Sequence, residues 1–124
     1  MLFRSDKIGL VISADMSLSM LAHAPGLRMV ADEEALPFAP ASLNLVTSIL
    51  SLHAANDLPG ALIQLRRALR PDGLLLASLP ATGTLAELRT ALLDTELELT
   101  GGAAPRIAPF PDLRDCAEIG RAHV

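Results

Sequence analysis

Three groups of residues in this chain of 124 have types and spacing suited to chemistry. Asp15 lies just past the apolar run of residues 8–12. A carboxylate at a strand end can accept hydrogen bonds from both hydroxyls of a ribose. Aspartate is equally at home as a helix N-cap, and a helical pattern follows, so both roles stand. Asp32-Glu33-Glu34 follows a second short apolar run, residues 27–30. It is either an acceptor for an exocyclic adenine amine or a solvated acidic loop. His53, with Asn56 and Asp57, follows a third run, residues 43–49. Histidine titrates near neutrality and can act as a general base, but no Ser or Cys nucleophile context such as G-x-S-x-G accompanies it. A structural histidine is the other reading.

Other constellations are missing. The glycines stand at 9, 26, 60, 73, 83, 101, 102 and 120, and none forms G-x-G or a phosphate loop. His23 and His123 have no partners at metal-ligand spacing, so no metal site is expected. Arg66, Arg67 and Arg70 read as a solvated helix end, and Cys116 as a small, partly buried residue.

The elements that must position these groups follow from periodicity. Residues 8–12 read as a buried strand, and Ser17 to Ala24 as a helix closed by Pro25-Gly26. Residues 27–30 and 43–49 read as further strands. Asp57 is the expected N-cap of a helix with Pro59 in its first turn, and Leu58, Leu62, Leu65 and Leu69 share one face. The three arginines occupy its C-terminal end, where positive charge suits the macrodipole. Pro71-Asp72-Gly73 is a turn, and residues 74–79 are a fourth strand. Thr84 and Glu87 have capping-box spacing and open a helix that stops at Gly101-Gly102. A loop to Phe110 and a helix beginning near Asp112 complete the chain. Strands alternating with helices predict an α/β fold with a parallel sheet covered on both sides, binding its ligands at the carboxyl ends of the strands.

Composition narrows the class. Leucine (25) and alanine (20) dominate, and 51% of residues are hydrophobic, ample for a core. A net charge of −4 and only three aromatics (Phe3, Phe38, Phe110) argue against nucleic-acid partners, which need basic grooves and stacking rings. No apolar stretch reaches the roughly 20 residues of a membrane span. A single cysteine fits a reducing compartment, and a cytoplasmic location is expected.

Taken in order, four segments resemble class I S-adenosylmethionine-dependent methyltransferases. Asp15-Met16-Ser17-Leu18-Ser19-Met20-Leu21 resembles their D-x-S-x-x-M-L segment, and Asp32-Glu33-Glu34-Ala35-Leu36-Pro37-Phe38 their D-x-E-x-L-P-F loop. Ser42-Leu43-Asn44-Leu45-Val46 resembles S-F-D-L-V, and Leu69-Arg70-Pro71-Asp72-Gly73 the L-[KR]-P-[GD]-G turn. Ser51-Leu52-His53, Asn56-Asp57-Leu58-Pro59, Gly101-Gly102 and residues 105–110 are similar to a narrower group. It comprises bacterial relatives of the complex I assembly factor with a methyltransferase fold, near the malonyl-carrier-protein methyltransferases.

The resemblance implies S-adenosyl-L-methionine as cofactor, with Asp15 on the ribose diol and Met16 against adenine. It places Asp32 on the adenine amine with the Glu33 backbone beside it, and Ser48 at the methionine end through its backbone. It carries over no catalytic residue, because many such enzymes work by orientation. The acceptor is a small molecule, a carrier protein or another protein. The group also implies an alternative role as an assembly or interaction factor for respiratory complex I, with protein-arginine hydroxylation in place of methylation.

Two departures stand out: Asn44 replaces the usual Asp, and Ala54 stands where the group often has Trp. The fold expected is a partial Rossmann-like methyltransferase fold, mostly parallel with flanking helices, lacking the family's first strand with its glycine loop and its final strands. That first strand is central in the family's sheet, so its neighbours on either side would be left apart. The two ends fit this view, since residues 2–5 and 119–122 can be encoded by reverse complements of one adapter-like DNA segment. Residues 1–5 and 118–124 are therefore expected to be non-native tails around a partial domain, 6–117, that is inactive alone.

Overall fold

The computed structural model describes residues 8–107 and 109–122; the expected tail at 1–5 lies outside them. The first strand, β1, is Ile12–Asp15, and a single helical turn, α1, covers Leu18–Leu21. Strand β2 is Leu27–Val30, and β3 is Leu43–Ile49. A 3-10 turn, Leu52–Ala54, leads to helix α2, Leu58–Ala68, and then to β4, Leu69–Ser78. Helices α3, Ala86–Thr100, and α4, Leu113–Ala122, follow, the latter running through the expected boundary at residue 118.

All strand pairing is parallel, but the strands form two separate sheets, β1-β2 and β3-β4. This is the separation expected when the strand between them is lacking. Among the described residues β1 keeps an edge with no strand ladder, and apolar residues such as Ile49 (60% exposed) and Leu74 (53%) stay in solvent.

Several boundaries differ from the sequence reading. The first strand begins at Ile12, not Ile8, because a strand exists only where a partner meets it. The ladder opens where Leu27 N–H donates to Val11 O at 2.9 Å. Gly26 makes that approach possible: its φ is +73°, and a Cβ there would collide with the Val11 carbonyl. The first helix is one turn shorter than expected, and Ser17, not Asp15, is its N-cap. Helix α2 stops at Ala68, so Arg70 belongs to the β4 segment and not to the helix end. Leu43 pairs with Leu69 and Leu45 with Leu74, so Pro71-Asp72-Gly73 loops out of the ladder. The capping box of Thr84 and Glu87 does not form: Leu85, at φ 57°, precedes the first turn of α3 with no side-chain cap. Gly101 does end α3 in the left-handed conformation, as expected.

The core is small and sits under α2. Leu52, Ala61 and Leu65 are its buried centre, flanked by Leu36, Val46, Ala55, Leu58, Leu62 and Leu75. It therefore joins α2 to the β3-β4 sheet and to the turn that follows β3. Asp57 caps α2 through Gly60 N–H at 2.9 Å, as the sequence predicts.

Candidate functional site at the strand ends

The residues singled out by sequence lie at or just past the carboxyl ends of the strands. Asp15 ends β1, half-buried, and its Oδ1 accepts from Ser17 N–H at 2.7 Å. That bond shapes the entry to α1 and leaves Oδ2 without a partner among the described residues. Ser17 Oγ in turn accepts from Met20 N–H at 3.4 Å. Met16, beside Asp15, is open to solvent.

After β2 the chain makes a tight turn. Asp32 Oδ1 accepts from Glu34 N–H at 2.8 Å, and Ala35 N–H donates to Asp32 O at 3.1 Å. This loop is not freely solvated, as one sequence reading had it. The Glu33 carboxylate accepts from Ser51 Oγ, and Glu34 Oε1 accepts from Asp57 N–H at 2.7 Å. Gln64 of α2 fixes the next residues twice, donating to Glu34 O at 2.7 Å and accepting from Leu36 N–H at 3.0 Å. The acidic loop is thus the tie between the β2 end and the segment after β3. The charged side chains of Glu33 and Glu34 are committed to that tie, while Asp32 keeps one oxygen unbonded among the described residues.

Ser48, near the end of β3, has a side-chain oxygen enclosed and without a hydrogen-bond partner. An enclosed hydroxyl left unpaired is costly, and such groups mark functional positions often enough to direct attention here. Two residues on, Leu50 takes φ 53° while its N–H donates to Ser78 O at 2.9 Å. A left-handed leucine is strained, so the chain turns sharply there and delivers Ser51, Leu52 and His53. His53 is exposed, with its ring edge-on to Phe110 at 6.4 Å between centroids.

Phe110 belongs to a strap, residues 101–107 and 109–111 among those described, that sequence reading left as a plain loop. Pro111 O accepts from Thr82 N–H at 3.2 Å, which anchors the strap beside the end of β4. Its other end is held by Glu96 of α3, whose carboxylate accepts from Ala104 N–H at 2.9 Å and from Arg106 Nε at 2.7 Å. The signal for this was present: opposite charges flank the Gly101-Gly102 turn at 96 and 106. These bonds, the Ala104 N–H first and Arg106 second, hold the Glu96 carboxyl below its ordinary value. A lowered folded-state pKa means the carboxylate's support is present above the ordinary glutamate range, about 4.3, and is lost as pH falls through the folded value. The Ala104 amide resonance should therefore titrate with a midpoint below that range, and Glu96→Gln should abolish the titration. A midpoint above it would contradict the latch.

Cys116 stands apart from this region, half-buried, with burial first and then Asp115 and Asp112 pushing its thiol up. A thiol held protonated is a poor nucleophile.

Known proteins place this geometry in a class. The model of a methyltransferase domain matches residues 2–77. The chain belongs to this methyltransferase-domain family, whose cofactor is S-adenosyl-L-methionine. It is 44% identical over 109 residues to the mitochondrial arginine-hydroxylase NDUFAF5 of Danio rerio, covering 88% of this chain and 34% of that protein. It is 37% identical over 116 residues to the malonyl-[acyl-carrier protein] O-methyltransferase of Xylella fastidiosa, covering 87% of this chain and 37% of that protein. The chain thus spans about a third of the length of these relatives. The crystal structure of a SAM-dependent methyltransferase from Thermotoga maritima, a possible histamine N-methyltransferase, superposes with a TM-score of 0.66 at 17% identity. That match covers 88% of this chain and 52% of the other. The fold is accordingly a partial Rossmann-like methyltransferase fold. No helix among the described residues is long and apolar enough to cross a membrane.

Proposed function

We propose that this chain carries the adenosyl-binding part of an S-adenosyl-L-methionine-dependent methyltransferase and is inactive by itself. The observation that carries the proposal is the pair of carboxylates Asp15 and Asp32, at the end of β1 and just past β2, each keeping one oxygen unbonded among the described residues. The cofactor supplies, when bound, a methyl group activated on a sulfonium. Asp15 takes the two ribose hydroxyls through Oδ2 while Oδ1 keeps the loop shaped. Met16, already exposed, lies against the adenine face. Asp32 accepts from the adenine amine, with the Glu33 backbone beside it, and Ser48 meets the methionine end. No general base is assigned, since alignment of the acceptor supplies much of the rate in such transfers.

The acceptor in this reading is a carrier-protein thioester or a related small molecule, which the name of the Xylella relative supports. The acidic balance and single cysteine support a cytoplasmic setting. A second reading, assembly or interaction with respiratory complex I together with protein-arginine hydroxylation, is supported by the arginine hydroxylases among the relatives.

The test is a chimera in which this chain replaces the matching segment of the Xylella relative, supplied with methyl-labelled cofactor and malonyl-carrier protein. Label in the carrier-protein thioester is the expected result. A chimera that binds cofactor, leaves the thioester unlabelled and hydroxylates an arginine peptide overturns the primary reading in favour of the second.

A further inference from the structure

Between α3 and the strap lies an open cleft of about 410 Å³, within the size range of small-molecule sites. Its walls are the apolar side chains of Leu92, Leu93, Pro105, Ile107 and Pro109, with Arg89 and Arg106 among the lining residues. The two guanidinium groups differ. Arg106 is paired with Glu96, and that pair fixes the strap at the cleft wall. Arg89 makes no side-chain hydrogen bond or ion pair among the described residues. The cleft therefore combines a continuous apolar wall with one uncommitted positive charge. The far end of the strap carries Phe110 onto His53 and bonds Pro111 to Thr82, which ties it to the segments after β3 and β4.

We propose that this cleft binds a saturated acyl chain ending in a carboxylate, with Arg89 reading the carboxylate and the leucine, isoleucine and proline side chains covering the chain. Charge complementarity selects the head group, because a guanidinium pairs with a carboxylate in bidentate geometry that a neutral amide cannot match. With a volume of about 410 Å³, the cleft has room for a chain of several methylenes, longer than the single methylene of a malonyl group. As the acceptor side of the enzyme, the cleft rests on the methyltransferase reading; as a binding site it stands without it.

The test uses the 124-residue chain with octanoate, hexanoate, butanoate and octanamide, followed by calorimetry or by amide shifts of Leu92, Leu93 and Ile107. Octanoate is expected to bind about fourfold more tightly for each methylene it has over the shorter acids, the increment of a buried methylene. Octanamide is expected to bind at least tenfold more weakly than octanoate. Arg89→Gln is expected to bring octanoate down to the amide's level, and Arg66→Gln, on α2 and outside the cleft, to leave it unchanged. Equal binding of octanoate and octanamide to the unaltered chain overturns the proposal without recourse to any variant. So does an absence of chain-length dependence, or an Arg89→Gln chain that retains its helical signal and binds octanoate normally. None of these titrations contains cofactor, so failure here and failure of cofactor binding are separate results.

Discussion

Leu52→Ala should lower the unfolding free energy by about 2–5 kcal/mol, the cost of emptying a well-packed leucine site. Leu52 is 2% exposed, and it is the largest side chain so fully enclosed. The cluster it belongs to draws on three directions: Ala61 and Leu65 of α2, Val46 and Leu75 of the β3-β4 sheet, and Leu36 beyond the acidic loop. Few other buried residues stand ready to compensate in so small a core. Typical domains are stable by only about 5–15 kcal/mol, so the loss is a large share of the total. Leu52 also sits between Ser51, which holds Glu33, and His53, which meets Phe110, so the cavity loosens the site as well. Denaturant unfolding monitored by circular dichroism reads the effect. Leu99→Ala, at an α3 position 80% exposed, serves as comparison and should change stability by no more than about 0.5 kcal/mol. Equal effects of the two substitutions would show that the core lies elsewhere.

Cofactor affinity should fall by at least about a hundredfold when Asp15 becomes alanine in the chimera. Each charge-assisted hydrogen bond to a ribose hydroxyl contributes about 1.5–3 kcal/mol, and two are lost together. Alanine also removes the acceptor for Ser17 N–H, which shapes the entry to α1. Asp15→Asn separates these contributions. Its amide oxygen can still receive Ser17 N–H, but the negative charge is gone, so a loss of about tenfold is expected. If both substitutions leave cofactor affinity nearly unchanged, the residue only shapes the entry to α1 and does not hold the ribose.

Much of the architecture was legible because it depends on local chemistry. Asp57 before Pro59 announced α2, and Gly101 announced the end of α3. The strands β2 and β3 fell where the apolar runs placed them. Misplaced features depend on distant partners. The start of β1 is set by where Leu27 arrives, and that arrival depends on the left-handed Gly26. Thr84 and Glu87 had the right spacing for a cap, yet Leu85 turned left-handed and prevented it. The apolar fourth strand suggested burial on both faces, whereas Leu74 and Leu76 remain exposed in a two-stranded sheet.

The candidate site divides in the same way. Asp15, Asp32 and Ser48 came from the family resemblance; Asp15 ends β1, Asp32 lies two residues past β2, and Ser48 is next to last in β3. Gln64 carried no signal of its own, and Ser51 and Glu96 gain their roles only through partners elsewhere in the chain: Gln64 reaches Leu36, Ser51 reaches Glu33, and Glu96 reaches Arg106. No periodicity encodes such reach. The roles of Glu33 and Glu34 as ties between the two halves also emerge only once the halves are seen apart.

The most direct measurement is a calorimetric titration of the chimera with S-adenosylhomocysteine, set beside the same titration of the 124-residue chain. The account predicts saturable micromolar binding to the chimera, its loss on Asp15→Ala and Asp32→Ala, and little or no binding to the chain alone. Binding to the chimera that survives both substitutions would contradict it.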